Sequence, residues 1–138
     1  MKQNEQRAYF FLVGDFDPAE VSARIGIEPT RFWKKGDVNP RTQLERKHSR
    51  WIIDSRLSEQ SSLEAHVDDV LEQLRSSAQQ IRGERQRTDG GLQLVGYFHT
   101  MYPGFGLDEH TTAELAAMKL GFDCDFYYLY SDEREDSD

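Results

Sequence analysis

Leu63, Val67, Val70, Leu71, Leu74, Ala78 and Ile81 recur at helical spacing, and no other feature of this 138-residue chain constrains its fold as tightly. Apolar residues three and four apart line one face of a helix, so this segment must bury a stripe against something flat. Ser61-Ser62-Leu63-Glu64 ahead of it reads as a capping box, and Gly83 reads as its stop.

The surface that receives this stripe is a sheet. Arg7–Val13 (RAYFFLV) has apolar residues in both alternating sets, Ala8, Phe10 and Leu12 against Tyr9, Phe11 and Val13, the pattern of a central strand covered on both faces. Arg50–Asp54, Leu92–His99 and Phe122–Tyr130 supply three further strands. In the last, Phe122, Cys124, Phe126, Tyr128 and Tyr130 share a face opposite Asp123, Asp125, Tyr127 and Leu129. Asp17-Pro18-Ala19-Glu20 and Asp108 start two shorter helices, stopped at Gly26 and Gly121.

Each half of the chain thus resembles a β-α-β unit, with the long helix joining them. The expected fold class is α+β: a four-stranded, mainly antiparallel, ferredoxin-like sheet with three helices. The expected division is one domain over residues 1–130 and an acidic tail, SDEREDSD, over 131–138 that reads as disordered.

The net charge of −8 is unevenly placed. Arg31–Arg56 holds eight basic residues to three acidic ones, Leu57–Leu74 holds five acids and no base, and Leu107 onward holds ten acids to two bases. This pattern speaks of partners rather than fold. The only cysteine, Cys124, excludes an internal disulfide and reads as a small core residue. No apolar run is long enough for a membrane span, so a cytoplasmic protein is the simplest expectation.

The strand into "GDFDP", then "IGIEPT", "RFWKKGD", "WIIDS" and "GLQLVGYF", with Gly26, Pro29, Thr30, Lys35, Gly36, Trp51 and Ser55, resembles the bacterial domain-of-unknown-function family 4279 from Tyr9 to Tyr130. The resemblance implies an α+β fold and carries over no catalytic residue, cofactor or metal ligand. Some small bacterial domains of this kind look like immunity proteins against toxins, an analogy of fold alone.

Candidate chemistry is sparse. His48, His66, His99 and His110 share no metal-binding spacing. His66 falls between acidic positions and reads as solvated. Asp15/Asp17 and Asp123/Asp125 are Asp-x-Asp pairs, but Asp17 serves as a cap and the second pair reads as an open sheet face. Gly90-Gly91 and Gly104-Phe105-Gly106 read as turns, not phosphate loops.

In Arg31-Phe32-Trp33-Lys34-Lys35, one ring is expected to be buried, leaving the lysines on a solvated rim. The leading expectation is a non-enzymatic protein-binding module, immunity-like. Its candidate surface is Arg31, Phe32, Trp33, Lys34 and Lys35, together with Glu64, Asp68, Asp69 and Glu72 of the acidic helix start, which would meet a basic partner. The alternatives are a self-associating domain using Tyr97, Tyr127 and Leu129, and a hydrolase or metal-assisted enzyme with a cleft at His99, Tyr102, Asp123 and Asp125. Overall acidity disfavours nucleic acid.

Overall fold

A strand that is apolar in both alternating sets belongs in the middle of a sheet, and the computed structural model, which describes residues 2–101 and 104–130, places it there. The chain runs β1 (Glu5–Gly14), α1 (Pro18–Ile25), β2 (Arg31–Trp33), β3 (Ser49–Asp54) and α2 (Leu63–Leu74). A 3-10 turn (Arg75–Ser77) leads into α3 (Ala78–Arg85), followed by β4 (Asp89–Phe98), α4 (Glu109–Ala117) and β5 (Phe122–Tyr128). The α+β class holds.

The sheet has five strands, not four, in the order β2-β3-β1-β4-β5, and it is mixed. The added strand is the three-residue β2, antiparallel to β3 and too short to show a period. β4 and β5 are parallel neighbours because α4 carries the chain back between them. A ferredoxin-like sheet would insert a strand of the other half between them, so that order is not formed.

The three helical units lie on one face. The middle one is α2 and α3 with the 3-10 turn between, at Ser76 and Ser77, two poor helix formers. It runs through Gly83 to Arg85 rather than stopping there. Asp17, Ser62 and Asp108 cap α1, α2 and α4 by accepting the amides of Ala19, Ala65 and Thr111. Ser62, not Ser61, is the cap, and Glu64 instead accepts the Gly106 amide at 3.2 Å.

Ala8, Phe10 and Leu12 of β1, Trp51 and Ile53 of β3, and Leu92, Leu94 and Phe98 of β4 form the sheet side of the core. Phe10 meets Trp51 edge to face at 6.0 Å, and Trp51 donates its indole N–H to Ser22 Oγ at 2.9 Å. Gly90 and Gly91 belong to β4 rather than a turn: a Cβ at Gly90 would press on the Phe11 carbonyl oxygen and the Leu12 side chain.

α4 sets Leu115, with Met118 and Leu120 just beyond it, into the core, and arginines fasten its outer side. Arg75 makes a two-pronged bond to Glu114 at 2.6 and 2.9 Å, Arg82 donates to the Ala117 carbonyl, and Arg85 to that of Lys119. Among the described residues, no helix is long and apolar enough to cross a membrane.

Candidate functional site

Directly paired residues share a face, so the registers assign every strand residue to one side of the sheet. The side away from the helices carries Arg31 and Trp33 of β2, Arg50, Ile52 and Asp54 of β3, and Arg7, Tyr9, Phe11 and Val13 of β1. It continues with Gln93, Val95 and Tyr97 of β4 and Asp123, Asp125 and Tyr127 of β5. β1 is therefore covered by helices on one side only. Its second apolar set is half-buried, and what shields it is arginine.

Four guanidinium groups lie over rings on this face. Arg46 sits 4.0 Å from the centre of Trp33, Arg50 5.2 Å from Phe11, Arg31 5.3 Å from Tyr9 and Arg7 5.9 Å from Tyr97. A cation over a ring face is drawn to its negative quadrupole, and the planar guanidinium still points donors outward. Arg31 spends its donors on Asp54, with two bonds of 2.8 Å. Among the described residues, Arg7, Arg46 and Arg50 form no ion pair. At the far edge Tyr97 and Tyr127 stack at 5.0 Å, with Tyr127 42% exposed.

A cleft of about 530 Å³ opens on this face where β3 ends and β1 continues paired with β4 only. There residues 55–59 run beside β1, linked through Ser55 N–H to Ala8 and Gln6 N–H to Glu59. Arg7, Tyr9, Tyr97, Asp125, Ser55 and His66 are among its lining residues. His66 is not solvated: it is 1% exposed, on the apolar stripe of α2 between Leu63 and Val70. Its Nδ1 lies 2.7 Å from Ser55 Oγ, which also accepts the Leu57 amide at 3.2 Å. The other ring nitrogen, Nε2, is buried without a hydrogen-bond partner among the described residues. Burial holds the His66 pKa below the ordinary histidine value, against smaller upward effects of Gln6, Asp69, Ser58 and Glu59.

The other sequence candidates fare unequally. Neither ring of the Phe32-Trp33 pair is buried: Phe32 is 63% exposed at the sheet edge, and Trp33 is half-buried under Arg46, not under Lys34 or Lys35. Lys35 reaches Asp15 at 3.3 Å, and Lys34 is exposed. On α2, Asp68 and Glu72 are exposed, whereas Asp69 is buried and bound by Arg56 and Gln73. Burial alone would raise the Asp69 pKa, but Arg56, with Gln73, holds it below the usual carboxylate value.

The described members of the His99 set are not brought together in the cleft described above. Asp125 lines the cleft, Asp123 and His99 do not, and His99 instead donates its amide to Asn4 Oδ1 at 2.7 Å. Tyr102 and residues 131–138 lie outside the described residues. Cys124 is exposed on the edge strand, not in the core, and desolvation with Asp123 raises its pKa, which disfavours the thiolate. Among the described residues, no group of three or more His, Cys, Asp or Glu could hold a metal ion.

A cavity of about 710 Å³ lies at the other end of β1, lined by Arg24, Glu84, Thr88 and others. Its buried carboxylate, Glu84, is already paired with Arg24 at 2.7 Å, and Thr88 donates to the Val13 carbonyl.

A family model described as "Domain of unknown function (DUF4279)" matches residues 4–129. No curated protein and no solved structure matches the chain.

Proposed function

Because the chain belongs to the domain-of-unknown-function family 4279, whose description carries no activity, we propose a function from geometry: a non-enzymatic protein-binding module that grips a carboxylate-bearing partner with the uncovered face of its sheet. One observation carries this reading. Arg7, Arg46 and Arg50 are each seated on a ring and, among the described residues, form no ion pair with a carboxylate. Seating reduces the rotamer freedom lost on binding, and the guanidinium fork matches a carboxylate in two bonds. The rings beneath supply apolar area once water leaves.

The immunity-like version, in which acids of α2 cover a basic toxin, has weaker support. Asp69 is committed to Arg56, Glu64 to the Gly106 amide, and Glu72 lies 3.6 Å from Arg56. The single, exposed cysteine suits a reducing compartment, and we place the module in the cytoplasm.

A labelled Asp/Glu-rich peptide tests the reading. Wild-type protein at low salt should bind it, and Arg7→Ala with Arg50→Ala should weaken binding about tenfold, the order expected for two lost charge-assisted contacts. Arg41→Ala, in the exposed 36–46 loop, should not. Equal binding by all three proteins would refute it, and preference for a single-stranded oligonucleotide would move the partner to nucleic acid.

A further inference from the structure

We infer that the segment this face binds is bipolar: an extended stretch of a partner protein, lying along β1, with carboxylates at one end and a lysine or arginine at the other. This rests on the binding reading above and names the chemistry of its partner. The registers carry it, because they fix the height of each charge along the sheet. Trp33 of β2 stands level with Arg50 of β3, and Arg50 with Val13 of β1. Arg50 and the Arg46–Trp33 stack therefore mark one end of the face. Asp125 of β5 stands level with Val95 of β4, and Val95 with Arg7 of β1, toward the other end. Asp123 is level with Tyr9.

The two ends differ in sign. At the Val13 end, Arg46 and Arg50 form no ion pair among the described residues. The strand acid at that height, Asp89 of β4, lies across Val13 from Arg50. At the Arg7 end the balance is reversed. In the cleft there, Arg31 and Asp54 neutralise each other. Arg7 then faces Glu59 and Asp125, with Glu5 beside them, and these three acids form no ion pair among the described residues. Burial holds the His66 pKa down, so its ring adds no charge at neutral pH. The charge of Asp125 raises the Tyr127 pKa, which places a carboxylate at the edge of the Tyr97–Tyr127 stack. One added cation offsets the surplus acid and leaves Arg7 its donors for a carboxylate. Tyr9 and Tyr97, which also line the cleft, offer apolar cover to the stem of a lysine.

Val13 and Arg7 are roughly 20 Å apart along β1, a span that an extended partner covers in about six residues. Between the two ends lie Tyr9 and Phe11, half-buried beneath Arg31 and Arg50. A uniformly acidic segment sets like charge against Glu59 and Asp125, and a uniformly basic one against Arg46 and Arg50. A segment with both signs at this spacing avoids both repulsions, which is a source of specificity as much as of affinity.

Three end-blocked peptides of one composition test this, read by fluorescence anisotropy with full-length protein at low salt. Two carry an Asp-Glu pair and a lysine separated by about four uncharged residues, one in each chain order, and the third sets the lysine next to the acids. The better of the spaced two should bind wild type about tenfold more tightly than the compact one. Glu59→Gln/Asp125→Asn, at two exposed positions, should abolish that advantage yet bind the Asp/Glu-rich peptide at least as well as wild type, which a folding defect would not do. Arg46→Ala/Arg50→Ala should weaken all of them.

Equal binding of spaced and compact peptides by wild type overturns the inference, as does an advantage that survives Glu59→Gln/Asp125→Asn. A protein that takes the Asp/Glu-rich peptide through Arg7 and Arg50 but ignores the place of the lysine loses the bipolar partner and keeps the binding module. One that takes no peptide loses both.

Discussion

On the helix side of the sheet, Phe10 meets Trp51 at 6.0 Å with both rings out of water. On the other side, Tyr97 lies on Tyr127 at 5.0 Å with Tyr127 42% exposed. Both faces are rich in rings, but they are shielded by different means. Leu63, Val67, Val70 and Leu74 seal the first, and arginine side chains lie across the second. An aliphatic cover excludes water permanently and stabilises the fold. An arginine cover is thin, charged and displaceable, and it leaves apolar area that an incoming surface can use. Stability is thus concentrated on one face and recognition on the other.

The largest effect expected is Phe10→Ala on the sealed face. It removes a fully buried ring from contact with Trp51 and should cost about 3 to 5 kcal/mol, read as a lowered urea midpoint. A loss under about 1 kcal/mol would erase the distinction between the faces. Asp69→Asn comes next. It breaks the bond to Arg56 on a buried group, and about 1.5 to 3 kcal/mol should be lost with the binding face intact.

His66 sharpens the comparison through pH. Its folded pKa lies below 6.5, so between the two values the unfolded chain binds a proton that the folded chain does not. Stability should therefore fall as pH drops below about 6.5, and His66→Leu should flatten that slope in urea melts at pH 5 to 8. An unchanged slope would mean that another group carries it. The smallest effect belongs to Arg50→Ala, which should shift stability by only about 0.5 to 1 kcal/mol while weakening capture of the acidic peptide. A larger shift would show that the arginine cover stabilises the fold as the leucines do.

Patterns confined to one element were legible in the sequence. β1 announces its central place by its two apolar sets, and Asp17 and Asp108 announce their helices by local capping chemistry. The place of β5 directly beside β4 was not legible, because a β-α-β pattern gives the two strands one direction but not whether another strand comes between them, and the three residues of β2 are too few to show alternation. His66 carried a signal that its polar identity masked: it stands three residues after Leu63 and four before Val70, on the buried stripe. The arginine–ring pairs were the least visible. Arg50 meets Phe11 and Arg7 meets Tyr97 only across strands, and a one-residue slip in register would send each to the opposite face.

The arginine clasp on α4 has a consequence for how the molecule opens. α4 sets few residues into the core and β5 is held mainly by its ladder to β4, so Arg75, Arg82 and Arg85, reaching across to acceptors on the α4 segment, are a large part of what fastens this segment. Such attachments weaken in salt, and a unit so held should detach before the rest of the sheet. The amide protons of residues 122–128 would then be the first of the strand protons to exchange with deuterated solvent, uncovering the flank of β4 as a transient place for another strand to add.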